Sequence, residues 1–332
     1  MKRILTALIA TAALLWAFSG VPATAAPQAT QDIVLKPGWN AVYLLVQPDP
    51  RDPESVFAGL PVESVWTWLG GNSTVEYIQN PSEGLWNTPG WHHWFSAAEN
   101  AYLDNLYAIF DNWPYLIKVT GDQNVLWQVQ GGVTVGSVTW VADSFNLVGF
   151  DVDRQDPPTF TEFFSSSPAH AGQPVYRLND TGVWELIEDP DNTTIVPGVA
   201  YWVYCSGPST YQDPLEVNLP LVDGLNYGAE TVELTISVRN MSPLADTTVT
   251  FTLLDPSVAM EYRRYNSTTG YYEWHPLDPS YSMSLDASRW AIVKLAVRRS
   301  RMAAGASESI LEIRDTRGTR VLVPVYVEKI GD

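Results

Sequence analysis

Trp86, Trp91, Trp94 and Trp113 stand close together in the chain, with His92 and His93 among them. Flat aromatic rings cover the apolar faces of pyranose rings, and an indole carries a donor at its edge, so this cluster is a candidate carbohydrate platform. The competing reading is core packing. It leads, because the 14 tryptophans are spread over the whole chain and most rings in small β modules must fill interiors. His92 and His93 are adjacent, and neighbours on a strand point to opposite faces, so the pair does not chelate one ion. His170 and His275 are isolated in sequence. Asp151, Asp153 and Asp156, followed by Glu162, resemble a calcium loop in spacing. An EF-hand loop needs Gly at its sixth position, whereas here Asp156 stands there, ahead of Pro157 and Pro158. Asp156 therefore reads first as a helix cap. Calcium at Asp151/Asp153/Asp156, or at Asp49/Asp52, is the secondary expectation, and no other cofactor is expected.

Other reactive residues read as structural. Cys205 is the single cysteine, which excludes a disulfide framework and a Cys-rich zinc site. It replaces the Val119 of a matching segment and is expected in the core. Arg298, Arg299 and Arg301 form a basic cluster, expected to make surface pairs worth under about 1 kcal/mol each; the alternative is that they meet an acidic module. Asn-x-Ser/Thr triplets occur at Asn72, Asn179, Asn192, Asn240 and Asn266. No G-x-S-x-G, H-E-x-x-H or phosphate-cradling glycine loop is present, so no catalytic residue is assigned.

The elements that carry these residues come in two copies. Trp39 to Val46 aligns without gaps with Phe145 to Val152, each opening on aromatic-Asn after a polar bend. Each copy then reaches an Asp-Pro step, Asp52-Pro53 and Asp156-Pro157, where Asp at the cap and Pro at the first turn predict short helices over 54–60 and 158–165. Val65-Trp66 matches Val175-Tyr176, Val75 to Pro81 matches Trp184 to Pro190, and Tyr115 to Gly121 matches Tyr201 to Gly207. Closing strands are expected at Leu126–Val129 and Leu215–Val217. Residues 82–114 form an insertion in copy one. Within it Tyr102, Leu103, Leu106, Tyr107 and Phe110 recur at three- and four-residue spacing, which predicts a helix.

Lys36-Pro37-Gly38-Trp39-Asn40 before an apolar strand, with the later Tyr201-Trp202-Val203-Tyr204 strand, resembles tandem Gly-Trp-Asn-type β-rich modules of bacterial secreted and surface proteins. Those modules stand beside immunoglobulin-like domains. The resemblance covers residues 33–217 and implies an extracellular module. Copy two departs from the opening motif, with Asp143-Ser144-Phe145 in place of Pro37-Gly38-Trp39.

Beyond about residue 218 the pattern changes. Residues 219–332 hold 12 bases and 14 acids, against 5 bases and 23 acids in residues 26–218. Seven alternating segments, 232–239, 247–254, 271–277, 281–286, 290–298, 309–315 and 320–328, predict an antiparallel sandwich of immunoglobulin-like type. Met1-Lys2-Arg3, the apolar run Ile4–Gly20 and Ala23-Thr24-Ala25 form a secretory leader pattern at 1–25. The apolar run reaches about 25 Å as a helix, short of the ~30 Å of a bilayer core, so cleavage and export are expected.

These readings combine into a mostly β chain: leader 1–25, repeat module one at 33–136, repeat module two at 137–218, and a sandwich at 219–332. A formal charge of −18 argues against nucleic acid, which needs clustered Lys and Arg, and against an anionic membrane surface. The expected role is a non-catalytic exported structural or interaction protein, an adhesive or spacer element at a bacterial cell surface or outside it. Its expected partner is a protein or polysaccharide at that surface. The rival is a carbohydrate-binding protein using the Trp-rich insertion, and a glycoside hydrolase is the third class.

Overall fold

The computed structural model describes residues 28–70 and 90–331. The predicted leader, the strand expected over 75–81, Asn72 and Trp86 lie outside the described residues. The chain is mostly β, built from two small β-rich modules and an immunoglobulin-like sandwich. Module one contains β1 (Ala29–Leu35), β2 (Gly38–Tyr43), β3 (Gln47–Pro48), the one-turn helix α1 (Pro53–Val56), β4 (Val62–Trp68), β5 (Trp91–Phe95), β6 (Pro114–Val119) and β7 (Val125–Gly132). Module two contains β8 (Ser144–Gly149), α2 (Phe160–Phe164), β9 (Val175–Leu178), β10 (Trp184–Leu186) and β11 (Ala200–Cys205). The sandwich strands are β12 (Leu215–Asn218), β13 (Leu225–Gly228), β14 (Glu233–Asn240), β15 (Thr247–Leu253), β16 (Met260–Asn266), β17 (Tyr271–Pro276), β18 (Ser280–Leu285), β19 (Trp290–Val297), β20 (Gly305–Asp315) and β21 (Arg320–Lys329).

The main sheet of module one runs β2-β6-β4-β5, and that of module two runs β8-β11-β9-β10. The first three strands correspond in both order and sequence, with a short helix after the first of each, while the fourth place is held in module one by β5 from the insertion and in module two by β10. Two side chains in matching positions explain why both copies fold this way. Asn40 accepts the Lys36 amide at 2.8 Å and donates to the Lys36 carbonyl at 2.8 Å. Asn146 accepts the Val141 amide at 2.8 Å and donates to the Val141 carbonyl at 3.0 Å. Each amide therefore satisfies the backbone of the bend before its strand. The bend in copy two is one residue longer, which accommodates Asp143-Ser144 in place of Pro37-Gly38. Likewise Tyr115 takes the amide of Phe110 at 2.7 Å and Tyr201 that of Val196 at 3.0 Å, each five residues upstream.

The two sheets face each other across one aromatic layer. Trp202 lies at its centre, edge-to-face with Trp68, Trp91 and Trp184 at ring separations of 5.6, 6.2 and 6.1 Å. The opposite face of each sheet covers its own module core. Val42, Val65, Ile117 and Trp94 pack with Phe57 and Trp127 in module one, and Val148, Val203 and Tyr201 pack with Phe160, Phe163 and Phe164 in module two. With both faces buried, β8 and β11 read as continuous apolar runs rather than alternating ones. Gly149 stands at the position that matches Tyr43. A Cβ there would come within 2.2 Å of the Tyr43 ring. Where the matching strands cross, one copy supplies the ring and the other must supply the space.

In the sandwich, one sheet runs β12-β14-β19-β16-β17 and the other β13-β21-β20-β15-β18. The interior between them is apolar, centred on Val249, Phe251, Leu295, Leu311 and Val325. All seven predicted strands are present. β16 escaped the sequence reading because Glu261, Arg263 and Arg264 mask the inward Met260 and Tyr262.

Three local expectations are corrected. The helix expected around 102–110 is a 3₁₀ turn at Ala98–Leu103 followed by irregular chain. Tyr102 and Tyr107 are exposed while Leu106 is buried, so no single helical face forms. α2 is capped by Thr159, not Asp156: Thr159 and Glu162 form a reciprocal capping box. β12 does not close module two as β7 closes module one against β1. Instead β12 pairs with β14. The side chain of Gln212 bonds the Val138 amide and carbonyl at 2.6 and 2.9 Å, replacing the pairing that β12 would have made.

Gly149→Ala is expected to cost about 1–3 kcal/mol by forcing the Tyr43 ring aside. Combining it with Tyr43→Gly should be less costly than the sum of the two single changes, because the clash is then gone. Urea denaturation of the four proteins of this cycle measures the coupling, and strict additivity contradicts it.

Candidate functional site: the three-module junction

Titratable groups concentrate where the two modules and the sandwich meet. After β8 the chain runs through Asp151, Val152 and Asp153 along the turn between β20 and β21. Val152 pairs with Thr319, and the Asp153 amide donates to the Gly318 carbonyl at 2.8 Å. Gly318 has φ +82°, and a Cβ on it would lie 2.5 Å from Pro158 and 2.7 Å from the Asp156 carbonyl. Only glycine lets the sandwich turn approach this closely.

Two guanidinium groups stitch this approach. Arg320 reaches Asp151 at 2.9 Å and Glu312 at 2.7 Å; Arg314 reaches Asp153 at 3.0 Å and Glu312 at 3.0 Å. Glu312 is buried and shared by both arginines. Arg317 adds a bond to Ser165 at 3.1 Å. Charge-assisted bonds of this kind, partly shielded from water, hold better than exposed pairs.

Beside the network lies a cavity of about 60 Å³ lined by Tyr43, Asn112, Asp151, Asp213 and Arg320. A cleft of about 710 Å³ between module two and the sandwich shares Gln212 and Asp213 with it. Burial pushes the Asp213 carboxyl up to about 8, with the charges of Asp151 and Asp315 adding to the effect. Burial likewise raises Asp151 to about 6, against the pull of Arg320. Tyr43 is also held well above the ordinary phenol range, chiefly by burial. Two carboxylates with separated ionisation are the pattern of an acid–base pair. Here one oxygen of Asp151 is held by Arg320, and the inner cavity has room for a few waters at roughly 10–15 Å³ each, not for a sugar ring.

The predicted carbohydrate platform is not assembled among the described residues. Trp91 and Trp94 are buried on opposite faces of β5, Trp91 against Trp202 and Trp94 in the module-one core, where its indole donates to Glu54 at 3.2 Å. Trp113 is half-buried, 4.9 Å from Phe110. The carboxylates considered for calcium do not converge either. Asp151 and Asp153 face arginines, Asp156 is exposed, and among the described residues no group of three or more potential ligands converges.

Three of the histidines and the lone thiol serve packing, while His92 contacts the Asn105 carbonyl at 3.2 Å. His93 stacks on Trp66 at 4.6 Å. His170 sits against Trp140 and Phe164, where burial lowers it to about 4, and His275 lies against Tyr262. Cys205 is buried and its thiol is pushed up to about 11, chiefly by burial. Asn240 is buried and donates to the Ala245 carbonyl, which leaves that triplet inaccessible to a glycan. In the basic cluster, Arg298 and Arg301 pair with Glu261, and Arg299 donates to the carbonyls of Tyr227, Gly228 and Thr231. These three stay within the sandwich. The arginines that meet the acidic module are Arg314, Arg317 and Arg320, which the sequence reading passed over. Their signal was the i, i+2 spacing of Asp151 and Asp153, with Glu312 and Arg314 at the same spacing on a strand.

The fold and junction define a multi-module β protein whose charged cluster cross-braces its parts. Comparison with family models and with curated proteins finds no match. Among solved structures, the PapD-like domain 7 of human CEP192 is 10% identical, over 36% of this chain and 87% of that chain, at a TM-score of 0.24. The YadV chaperone is 12% identical, over 36% and 53%, at 0.26, and the periplasmic chaperone SfaE 9% identical, over 35% and 58%, at 0.23. The matched part spans little more than half of each chaperone. Likenesses this distant carry no functional argument, and the strand order itself defines the sandwich. No helix among the described residues is long and apolar enough to cross a membrane.

Three outcomes follow. Asp213 ionises near 4 when unfolded but near 8 when folded, so the unfolded chain releases a proton that the folded chain retains. Its contribution to stability therefore falls as pH rises between those values. Asp213→Asn should gain stability relative to the native chain as pH is raised, by up to about 1.4 kcal/mol per pH unit; a Tm difference independent of pH contradicts this. Arg320→Gln should cost about 3 kcal/mol by uncovering Asp151 and Glu312. Millimolar calcium should leave the native Tm unchanged.

Proposed function

We propose that this chain is an exported, non-catalytic structural or interaction component of the bacterial cell surface or extracellular space, acting as a spacer or adhesive element. One observation carries the reading: the side chains best suited to chemistry are engaged in joining modules. Trp91 and Trp202 hold the two repeat modules face to face, and Asp151 and Asp153 hold module two to the sandwich. A chain whose modules are fixed to one another keeps its ends at a set separation, as a spacer requires. The leader pattern at 1–25 and the acid excess support export and argue against nucleic acid. The partner is a protein or polysaccharide at the surface. Carbohydrate binding through the insertion is the weaker reading, because Trp91 and Trp94 are buried and Trp86 and Trp113 alone remain for it.

Expression of the full chain in a bacterial host tests this. Amino-terminal sequencing should find cleavage after Ala25, and the mature chain should be released or accessible to protease on intact cells. Retention in the cytoplasm with the leader intact overturns the reading, as does hydrolysis of a polysaccharide that Asp213→Asn abolishes.

A further inference from the structure

Apart from Tyr102 and Tyr107 in the insertion, a group of exposed large side chains lies on the outer face of the sandwich. On β17, β16 and β19 the side chains of Tyr272, Tyr265, Ile292 and Trp290 all point outward and are more than half exposed. Tyr265 lies opposite Tyr272, and Arg263 opposite Trp274, in the β16–β17 register. The guanidinium of Arg263 is braced between two rings, 5.0 Å from the centre of Tyr272 and 5.9 Å from that of Trp274. Arg298 covers Trp274 at 5.7 Å while held by Glu261.

The basic residues of this face divide into two sets. Arg239, Lys294 and Arg298 each have a carboxylate within the sheet, on Glu216, Glu233 and Glu261. Arg263 has none among the described residues, and its Nε is buried without a hydrogen-bond partner. A guanidinium presents donors in a planar fork that matches a carboxylate two-to-two, and ring stacking holds that fork in place at little entropic cost. An anion is therefore the missing partner. Charged and hydroxyl side chains alternate with the apolar ones across this face: Arg239 lies opposite Trp290, Ser237 opposite Ile292, and Thr235 opposite Lys294. Rings interleaved with hydrogen-bonding groups suit a hydrated chain of pyranoses.

The geometry points to this face as a binding site for an acidic, uronate-bearing polysaccharide, with a sugar carboxylate on Arg263 and pyranose faces against Tyr272 and its neighbours. The inference deepens the interaction reading above and rests on it. It moves the sugar-facing rings from the insertion to the sandwich. Trp290 extends the same face along β19, so the site fits a polymer rather than a single sugar.

The test is titration calorimetry of the full chain with polygalacturonate, and with the same polymer after its carboxylates are reduced to alcohols. The acidic polymer should bind at least tenfold more tightly than the reduced one. Arg263→Gln, Tyr272→Ala and Trp290→Ala should each weaken it by tenfold or more, while Trp86→Ala and Trp113→Ala leave it unchanged. Thermal melts check that the variants fold, and if Arg263→Gln does not, the two exposed-ring variants decide. Equal binding of both polymers overturns the inference, and so does binding lost only with Trp86 or Trp113. Binding of neither polymer, with Arg263-dependent capture of an acidic protein or self-association instead, also overturns it while leaving the interaction reading standing. Failure of export would sink that reading separately.

Discussion

One buried layer of indoles governs the rest of the structure. A four-stranded sheet with a helix on one side has a second face to hide, and neither module has residues of its own to cover it. Each uses the other. Trp202 meets Trp68, Trp91 and Trp184 edge-to-face, an arrangement that the ring quadrupole favours over parallel stacking. Both copies must then keep their strand order, so that matching faces present matching surfaces, and they must differ wherever matching positions coincide. Tyr43 against Gly149 is that compulsory difference.

The second join is of another kind. The sandwich meets module two through ion pairs around Glu312 and through a glycine that admits close backbone contact. Where the pairing is incomplete, burial forces protonation instead, and Asp213 remains neutral where an exposed carboxylate would be charged. An aromatic join tolerates changes in pH and salt, whereas an ionic one does not. Of the two, the junction with the sandwich is the one that responds to its surroundings.

Much of the fold was legible because periodicity and turn chemistry are local. The aromatic-Asn openings, the Asp52 cap and the seven sandwich strands all follow from neighbours in sequence. What escaped was decided by distant residues. The spacing of Tyr102, Leu106 and Phe110 has helical period, yet after the 3₁₀ turn ending at Leu103 the chain forms no helix, and Asn105 and Asp104 instead accept the amides of His93 and Phe95 on β5. Asp156 looked like a cap until Thr159 and Glu162, two short steps on, satisfied the same amides. For the site, the sequence singled out Asp151 and Asp153, with calcium as a secondary expectation, and in the structure each of them faces an arginine. Their partners lie some 160 residues away on β20 and β21, a separation no spacing rule spans. Buried and exposed rings also look alike in a linear reading. Trp91 and Trp290 differ only in what the fold places over them.

Native-state hydrogen exchange tests the central claim most directly. If one indole layer couples the modules, the amides of β2 and β6 share a single opening free energy with those of β8 and β11, and Trp202→Ala lowers all of them together. Loss of protection confined to β8 and β11, with β2 and β6 unchanged, would contradict the account.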